Sequence, residues 1–211
     1  MTERPVITLK DDSPELGIAD PPIQGVVRYW QTPREDGSEP GEPLVFMQQS
    51  VCRQLNEHAI SLPDREVGGL LVGEAHRTPD GTLFVQVSGY LEARYTQQGP
   101  THLTFTTETF IDALDRLEAD YPNRGIMGWY HTHPGLGVFL SSWDLFIHRS
   151  FFQKPWHVAL VIDPLANYGG FFRYQAGEIR SHHPTGFYEV VDEDAGAASM
   201  WSNLVQLKSS R

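Results

Sequence analysis

Apolar residues recur along the chain with two different spacings, and each spacing predicts a different kind of element. Spacing of three to four residues is typical of one face of a helix, whereas short continuous runs are typical of buried strands. The helical pattern predicts three helices, over residues 44–62, 107–121 and 141–152, the second capped by Thr106 or Thr107. The short runs predict strands over residues 67–72, 83–87, 102–106, 126–131, 156–162 and 170–174.

The order of these elements predicts an α/β domain in which helices cover a mixed sheet. Residues 1–44 are rich in proline and acidic residues, which disfavours an independent core and predicts an N-terminal arm. We place the main domain at residues 45–180 and a C-terminal tail at residues 181–211.

The arm contains two short apolar runs, residues 6–9 and residues 26–30. They either add strands to a neighbouring sheet or contact a partner, and a mobile arm is the alternative. In the tail, residues 199–207 predict a short helix.

Composition narrows the range of partners. Of the 211 residues 40% are hydrophobic, which is enough to fill a core at this length. A net charge of -11 without any block of Lys or Arg argues against a nucleic-acid partner, because phosphate binding requires a basic surface. The N-terminus does not read as a signal peptide, and the apolar runs are far shorter than the roughly 20 residues of a membrane helix. We therefore expect a soluble cytoplasmic protein with no membrane partner.

Two histidines separated by one residue, His131 and His133, give the strongest chemical pattern. Residues two apart in a strand project to the same face, so both imidazoles can reach one point in space. Pro134 ends the strand pairing, which places the pair where a cleft can form. Asp144 follows a loop long enough to fold back and supply a carboxylate as third ligand. For the two histidines alone, a surface pair without metal is the alternative.

Two imidazoles and one carboxylate suit a catalytic zinc site, which keeps its fourth position for water. A structural site needs a fourth protein ligand, and the only cysteine, Cys52, reads as a small buried helical residue. Glu66 is a candidate base for that water, although spacing alone does not distinguish it from other carboxylates. It precedes Gly68 and Gly69, which lack side chains and let another backbone approach closely.

Three segments together resemble the JAMM (JAB1/MPN/Mov34) metalloprotease family, in its free-standing prokaryotic type. The family pattern is a glutamate, then His-Ser/Thr-His, seven residues, a serine, two residues and an aspartate. The chain matches every position, and the resemblance spans residues 45–175. The matching segments are Glu66-Val67-Gly68-Gly69, His131-Thr132-His133-Pro134 and Ser141-Ser142-Trp143-Asp144.

The resemblance implies a curved mixed β-sheet flanked by helices, the JAB1/MPN fold, which is similar to that of the cytidine deaminases. It implies that His131, His133 and Asp144 hold one zinc ion per chain together with a catalytic water. Glu66 would be the general acid and base, and Ser141 would donate a hydrogen bond to the oxyanion. The implied activity is a peptidase or isopeptidase that cleaves after the C-terminal glycine of a ubiquitin-like protein, in deconjugation or precursor maturation.

The resemblance also suggests a setting. The compact chain is similar to prokaryotic members, which implies a bacterial ubiquitin-like conjugation pathway, in defence or in sulfur-carrier maturation. The arm would then recruit conjugation-pathway enzymes, cover the site or stay loose. Residues 90–106, between Glu66 and His131, would by analogy line a channel for the substrate tail.

Two other functions and a purely structural role for Ser141 and Asp144 are the alternatives to this interpretation. A nucleoside deaminase requires Pro-Cys-x-x-Cys, which a chain with one cysteine excludes. A non-peptidase binding or scaffold MPN module with a structural zinc site is the other function, and the intact Glu66 and Ser141 argue against it. Ser141 and Asp144 also resemble a helix capping box, which is compatible with both roles. His148, four residues after Asp144, shares its helix face and is expected to contact the surroundings of the site.

Overall fold

The computed structural model describes residues 16–23, 26–32, 41–94, 97–99, 102–193 and 200–207. Within these ranges, side chains are described for all residues except 97–99 and 102–104. In these ranges the helices are α1 (Gln49–Ser61), α2 (Thr107–Asp120) and α3 (Ser142–Phe151). The strands are β1 (Gly17–Ile18), β2 (Val27–Gln31), β3 (Leu44–Gln48), β4 (Gly68–Arg77), β5 (Leu83–Glu92), β6 (Gln97–Gly99), β7 (His102–Thr104), β8 (Gly125–Thr132), β9 (Val158–Asp163), β10 (Tyr168–Gln175), β11 (Glu178–Ile179), β12 (Phe187–Val190) and β13 (Val205–Leu207).

Eleven of these strands form one mixed sheet, and β6 pairs with β7 in a separate two-stranded sheet. The pairs β8–β9, β3–β5 and β3–β12 are parallel, whereas β4 is antiparallel to both β5 and β8. The order across the large sheet is β11–β10–β9–β8–β4–β5–β3–β12–β2–β13, and β1 pairs with the far end of β4.

The large sheet curls so that its two halves approach each other. Phe171 in β10 forms a bridge with Thr185, just before β12. The rings of Phe171 and Phe187 also lie 5.3 Å apart, although their strands belong to opposite halves of the sheet. The expected curved mixed sheet flanked by helices is confirmed.

Each face of the sheet carries its own core. On the inner face, α1 inserts the predicted stripe of Val51, Leu55 and Ala59 among apolar strand residues. On the outer face, α2 and α3 cover strand residues that include Leu70 and Trp129. Because Gly68 pairs with His131 two residues along from the Leu70–Trp129 pair, the histidine pair belongs to this outer face, beside α3.

Two local predictions are wrong. Residues 44–48 form strand β3 rather than the start of α1, because a short buried apolar run between parallel neighbours has no periodicity that separates strand from helix. In the tail, the described residues 200–207 form a turn and then β13, not a helix, because β13 pairs with β2.

The large sheet extends beyond the expected main domain at both ends. Strand β2 confirms that residues 26–30 add to a sheet, and β12 and β13 bring the tail into the same sheet. The run at residues 6–9 lies outside the described residues. Among the described helices, none has the length and apolar character to span a membrane.

Candidate metal centre

His131 and His133 lie at the end of β8, held from both sides. On one side β4 pairs Gly68 with His131, and the Thr132 N–H donates to the carbonyl of Val67 at 2.8 Å. On the other side β9 runs parallel, and the His133 N–H donates to the carbonyl of Ile162 at 2.8 Å. Both imidazoles are buried, so the sheet fixes them at a strand end as the sequence predicts.

Asp144 reaches the histidines from the first turn of α3. Ser141 is the N-cap, and its Oγ accepts a hydrogen bond from the Asp144 N–H at 3.2 Å. In return, Asp144 Oδ2 accepts from the Ser141 N–H at 2.7 Å. This reciprocal pair is a capping box with aspartate in place of glutamate, and it fixes where the Asp144 carboxylate points.

The three side chains bring their donor atoms to the spacing that a tetrahedral metal requires. The Nε2 atoms of His131 and His133 are 3.0 Å apart, and they lie 3.3 Å and 3.5 Å from Asp144 Oδ1 and Oδ2, respectively. Ligands about 2.05 Å from zinc at tetrahedral angles are about 3.3 Å apart. The residues therefore fit a zinc ion with three protein ligands. In the described residues, His131, His133 and Asp144 form a group of possible metal ligands whose donor atoms all lie within 4.8 Å of one another.

The electrostatics of Asp144 favour its ionised form. Burial opposes ionisation, but the charge interaction with His131 and hydrogen bonds from His131, His133 and Ser141 outweigh it. The result is a pKa of Asp144 well below its usual range. A permanently charged carboxylate next to two imidazoles is a suitable set of ligands for a divalent cation.

Glu66 lies at the same sheet edge. The Val67 N–H donates to Thr132 Oγ1 at 2.9 Å, which continues the β4–β8 register beyond the Gly68–His131 pair. Continued two residues beyond the Gly68–His131 pair, the same register would place Glu66 opposite His133. Glu66 is only 6% exposed, and glutamate is rarely buried to this extent unless it is paired. The structure thus brings Glu66 to the strand end that carries the histidines.

Gly69 confirms the close backbone approach expected in this strand. A Cβ atom at Gly69 would lie 2.1 Å from the carbonyl oxygen of Leu91 and 2.8 Å from the ring of Tyr130. Only glycine fits there, so the residue fixes how tightly β4 packs between β5 and β8.

Trp129 is a residue of the site that the sequence interpretation missed. Its indole stacks on the His131 imidazole, with centroids 4.5 Å apart and planes 9° from parallel. The Trp129 Nε1–H donates to His148 Nδ1 at 3.1 Å. His148 therefore reaches the site through Trp129. Its pKa falls to about 3 because of burial first and then the neighbouring charges of His157 and Arg149. The signal was available, because Trp129 precedes His131 by two residues on one strand face.

Asp163 is a second missed residue, at the end of β9. Its buried carboxylate accepts hydrogen bonds from the backbone N–H groups of Gly135, Gly137, Leu165 and Ala166, at 2.9 to 3.1 Å. Two of these donors belong to the loop that follows His133. Asp163 thereby anchors the loop between the histidines and α3.

The fold and the donor set define a class: an α/β domain with two histidines and an aspartate arranged for a metal at the edge of its sheet. Residues 42–154, more than half of the chain, match the family described as "JAB1/Mov34/MPN/PAD-1 ubiquitin protease". The chain belongs to this family, as the sequence motifs predicted.

Two curated relatives show how far the similarity extends. COP9 signalosome complex subunit 5 of Eremothecium gossypii is 33% identical over 130 residues, covering 58% of this chain and 29% of the relative. The NAD(+) hydrolase TcpA of a Theionarchaea archaeon is 34% identical over 119 residues, covering 55% of this chain and 33% of the relative. The chain thus matches a third or less of the length of each.

A solved structure supports the fold. The solution structure of protein DSY2949 from Desulfitobacterium hafniense has a TM-score of 0.52 to this chain at 18% identity. The match covers 72% of this chain and 94% of the other. At this identity the likeness concerns the fold.

Proposed function

We propose that the chain is a zinc-dependent peptidase that cleaves after the C-terminal glycine of a ubiquitin-like protein, in deconjugation or precursor maturation. The observation that carries the proposal is the 3.0 to 3.5 Å spacing among the buried Nε2 atoms of His131 and His133 and the two carboxylate oxygens of Asp144. Membership of a family described as a ubiquitin protease supports the choice of substrate.

Zinc bound by these three residues would lower the pKa of a water molecule to about 7 and polarise the scissile carbonyl. Three protein ligands leave one tetrahedral position open, which is typical of catalytic rather than structural zinc sites. This favours an enzyme over a scaffold module, which is the second candidate function.

In this proposal Glu66 carries the proton. A buried carboxylate that the β4–β8 register would place opposite His133 would accept the proton of the attacking water and deliver it to the leaving amine. The same residue would serve both half-steps, because each proton transfer leaves it ready for the next.

Ser141 would stabilise the negative charge that develops on the carbonyl oxygen. Its Oγ already accepts a hydrogen bond from the Asp144 N–H, so its own hydrogen is available to donate. A donor fixed at a helix N-cap requires little rearrangement during the reaction, which makes it effective in an oxyanion hole.

The β6–β7 hairpin is a candidate edge for binding the substrate tail. It lies between Glu66 and His131 in the sequence, and its strands pair only three residues deep, with Gln97 opposite Thr104. An extended Gly-Gly tail would add to such an edge through main-chain hydrogen bonds. Replacing residues 97–104 with a Gly-Ser linker should impair cleavage of a protein substrate while zinc binding persists; equal loss of both would reject this role.

The test of the function is cleavage of a panel of ubiquitin-like proteins carrying C-terminal extensions or isopeptide-linked lysine. We expect cleavage after the terminal glycine, loss of activity with a chelator and recovery with added zinc. The Asp144→Asn variant should be inactive under every condition. Stoichiometric zinc binding without cleavage of any substrate would instead favour the scaffold module.

A further inference from the structure

The orientation of His131 is fixed in an unusual way. Metal-binding histidines commonly donate their second ring N–H to a carboxylate or carbonyl, which sets the plane of the ring. In the described part of the chain, the buried Nδ1 of His131 has no hydrogen-bond partner. The imidazole lies flat on the Trp129 indole instead. Stacking therefore takes over the orienting role that a hydrogen bond usually has.

Trp129 is itself held by a layer of buried rings. Phe152 stacks on its indole with centroids 6.0 Å apart and planes 13° from parallel. The rotation of the indole within this layer is set by the hydrogen bond from its Nε1–H to His148 Nδ1. Trp129, His148 and Phe152 are all fully buried, so water does not compete for that bond.

A histidine at position 148 would cost free energy if it only filled space. The indole N–H can only donate, so His148 Nδ1 must accept and the ring proton must sit on Nε2. That Nε2 is buried and has no partner among the described residues. An unpaired buried N–H costs free energy, whereas an aliphatic side chain of similar volume would not carry that cost. The histidine is therefore explained by what its Nδ1 does.

We propose that His148 is a positioning residue of the metal centre. It holds the Trp129 indole in the plane on which the His131 ring rests, and thereby aims His131 Nε2 at the metal. The inference rests on the zinc site proposed above and adds a residue that touches neither metal nor substrate.

The test measures zinc affinity by competition with a chromophoric chelator, so that it does not depend on turnover. His148→Leu removes the acceptor, and we expect zinc affinity to fall by about 10- to 100-fold, as for other residues that orient metal ligands. His148→Asn places an amide oxygen one bond from Cγ, where Nδ1 stood, and should keep the zinc dissociation constant close to that of the wild type. Failure of the asparagine to rescue what the leucine loses would overturn the proposal.

His157→Leu is the matched control. His157 is another buried histidine that contacts Phe152, and its Nδ1 accepts from the Lys154 N–H in the turn before β9. Its removal should lower the melting temperature and leave zinc affinity unchanged. Equal weakening of zinc binding by His157→Leu and His148→Leu would mean a general loss of packing and would overturn the proposal.

Trp129→Phe tests the same hydrogen bond from the donor side, and it replaces His148→Leu should that variant not fold. Trp129→Phe keeps an aromatic ring against His131 but removes the N–H, so zinc affinity should fall. Adding His148→Leu to Trp129→Phe should cause little further loss of zinc affinity. Unchanged affinity would overturn the positioning role. A wild-type protein that binds no zinc at all would instead contradict the proposed function.

Discussion

Ser141 and Asp144 hold each other in place at the start of α3, each accepting a hydrogen bond from the backbone N–H of the other. The same carboxylate lies 3.3 Å from His131 and 3.5 Å from His133. Helix capping and the presentation of a metal ligand are therefore one arrangement. The first turn of α3 sets the position of the carboxylate proposed as the third metal ligand, so that carboxylate is held as firmly as the start of the helix.

Substitutions at Ser141 can separate its capping role from its proposed role in catalysis. Alanine at an N-cap costs about 0.5–2 kcal/mol of stability, whereas glycine costs only a few tenths. Both Ser141→Ala and Ser141→Gly remove the hydroxyl, so both should raise the activation barrier by about 2.7–4 kcal/mol. Chemical denaturation and single-turnover kinetics measure the two effects. Normal turnover by folded Ser141→Gly protein would leave the residue with a capping role alone.

Glu66→Gln should abolish most turnover while leaving the metal in place. Glutamine keeps the size of the side chain but cannot shuttle a proton, and a positioned acid–base group contributes on the order of 10²–10⁴ in rate. Zinc content and kcat are measured on the same preparation. Glu74→Gln, in the strand β4 that follows Glu66 but paired with Arg124 away from the histidines, should keep full activity. Substantial residual activity in Glu66→Gln would assign the proton transfer elsewhere.

Asp144→Asn should abolish the stabilisation of the folded protein by zinc. A ligand at 100 times its dissociation constant stabilises the folded state by about 2.7 kcal/mol, which raises the melting temperature of the wild type. The asparagine oxygen can still accept from the Ser141 N–H, so the cap persists while the charged ligand is lost. The zinc-induced shift should vanish in Asp144→Asn and persist in Asp115→Asn, an exposed position of α2. A retained shift would contradict the assigned ligand set.

The sequence predicted the histidine pair and Asp144 because the cause lies in local geometry. Residues two apart in a strand share a face, and a serine three residues before an aspartate caps a helix. The strand β3 and the tail strand β13 could not be predicted in this way. Each forms because of a partner strand far along the chain, which no local pattern of apolar residues reveals.

Trp129 and Asp163 illustrate the same limit inside the site. The two-residue spacing places Trp129 on the face of His131, but a tryptophan in a strand reads as core, and its hydrogen bond to His148 joins a strand and a helix that meet only after folding. Asp163 ends a buried strand, but its four N–H donors come from two loops that meet only after folding.

The boundaries of the arm, main domain and tail remain predictions, and expressing residues 45–180 alone would test them.

Asp163 makes the anchoring of the loop after His133 depend on pH. Burial opposes ionisation of its carboxyl, but four backbone hydrogen bonds, led by that from Gly135, outweigh it and hold its pKa below the usual range. Because the folded-state pKa lies below the unfolded value of about 3.9, the carboxylate stabilises the fold fully above about pH 5. That contribution is lost as the pH falls through the folded-state pKa.

We therefore expect Asp163→Asn to lower the free energy of unfolding near pH 7, because asparagine replaces one acceptor oxygen with an NH₂ group, which can only donate, where the loop needs an acceptor. The difference from wild type should stay constant down to about pH 5 and shrink at lower pH. Urea denaturation of the metal-free proteins across this range measures it. Asp64→Asn, at an exposed position before β4, controls for general charge effects and should follow the wild-type curve. A difference between Asp163→Asn and wild type that did not change with pH would mean that the carboxylate charge is not what anchors the loop.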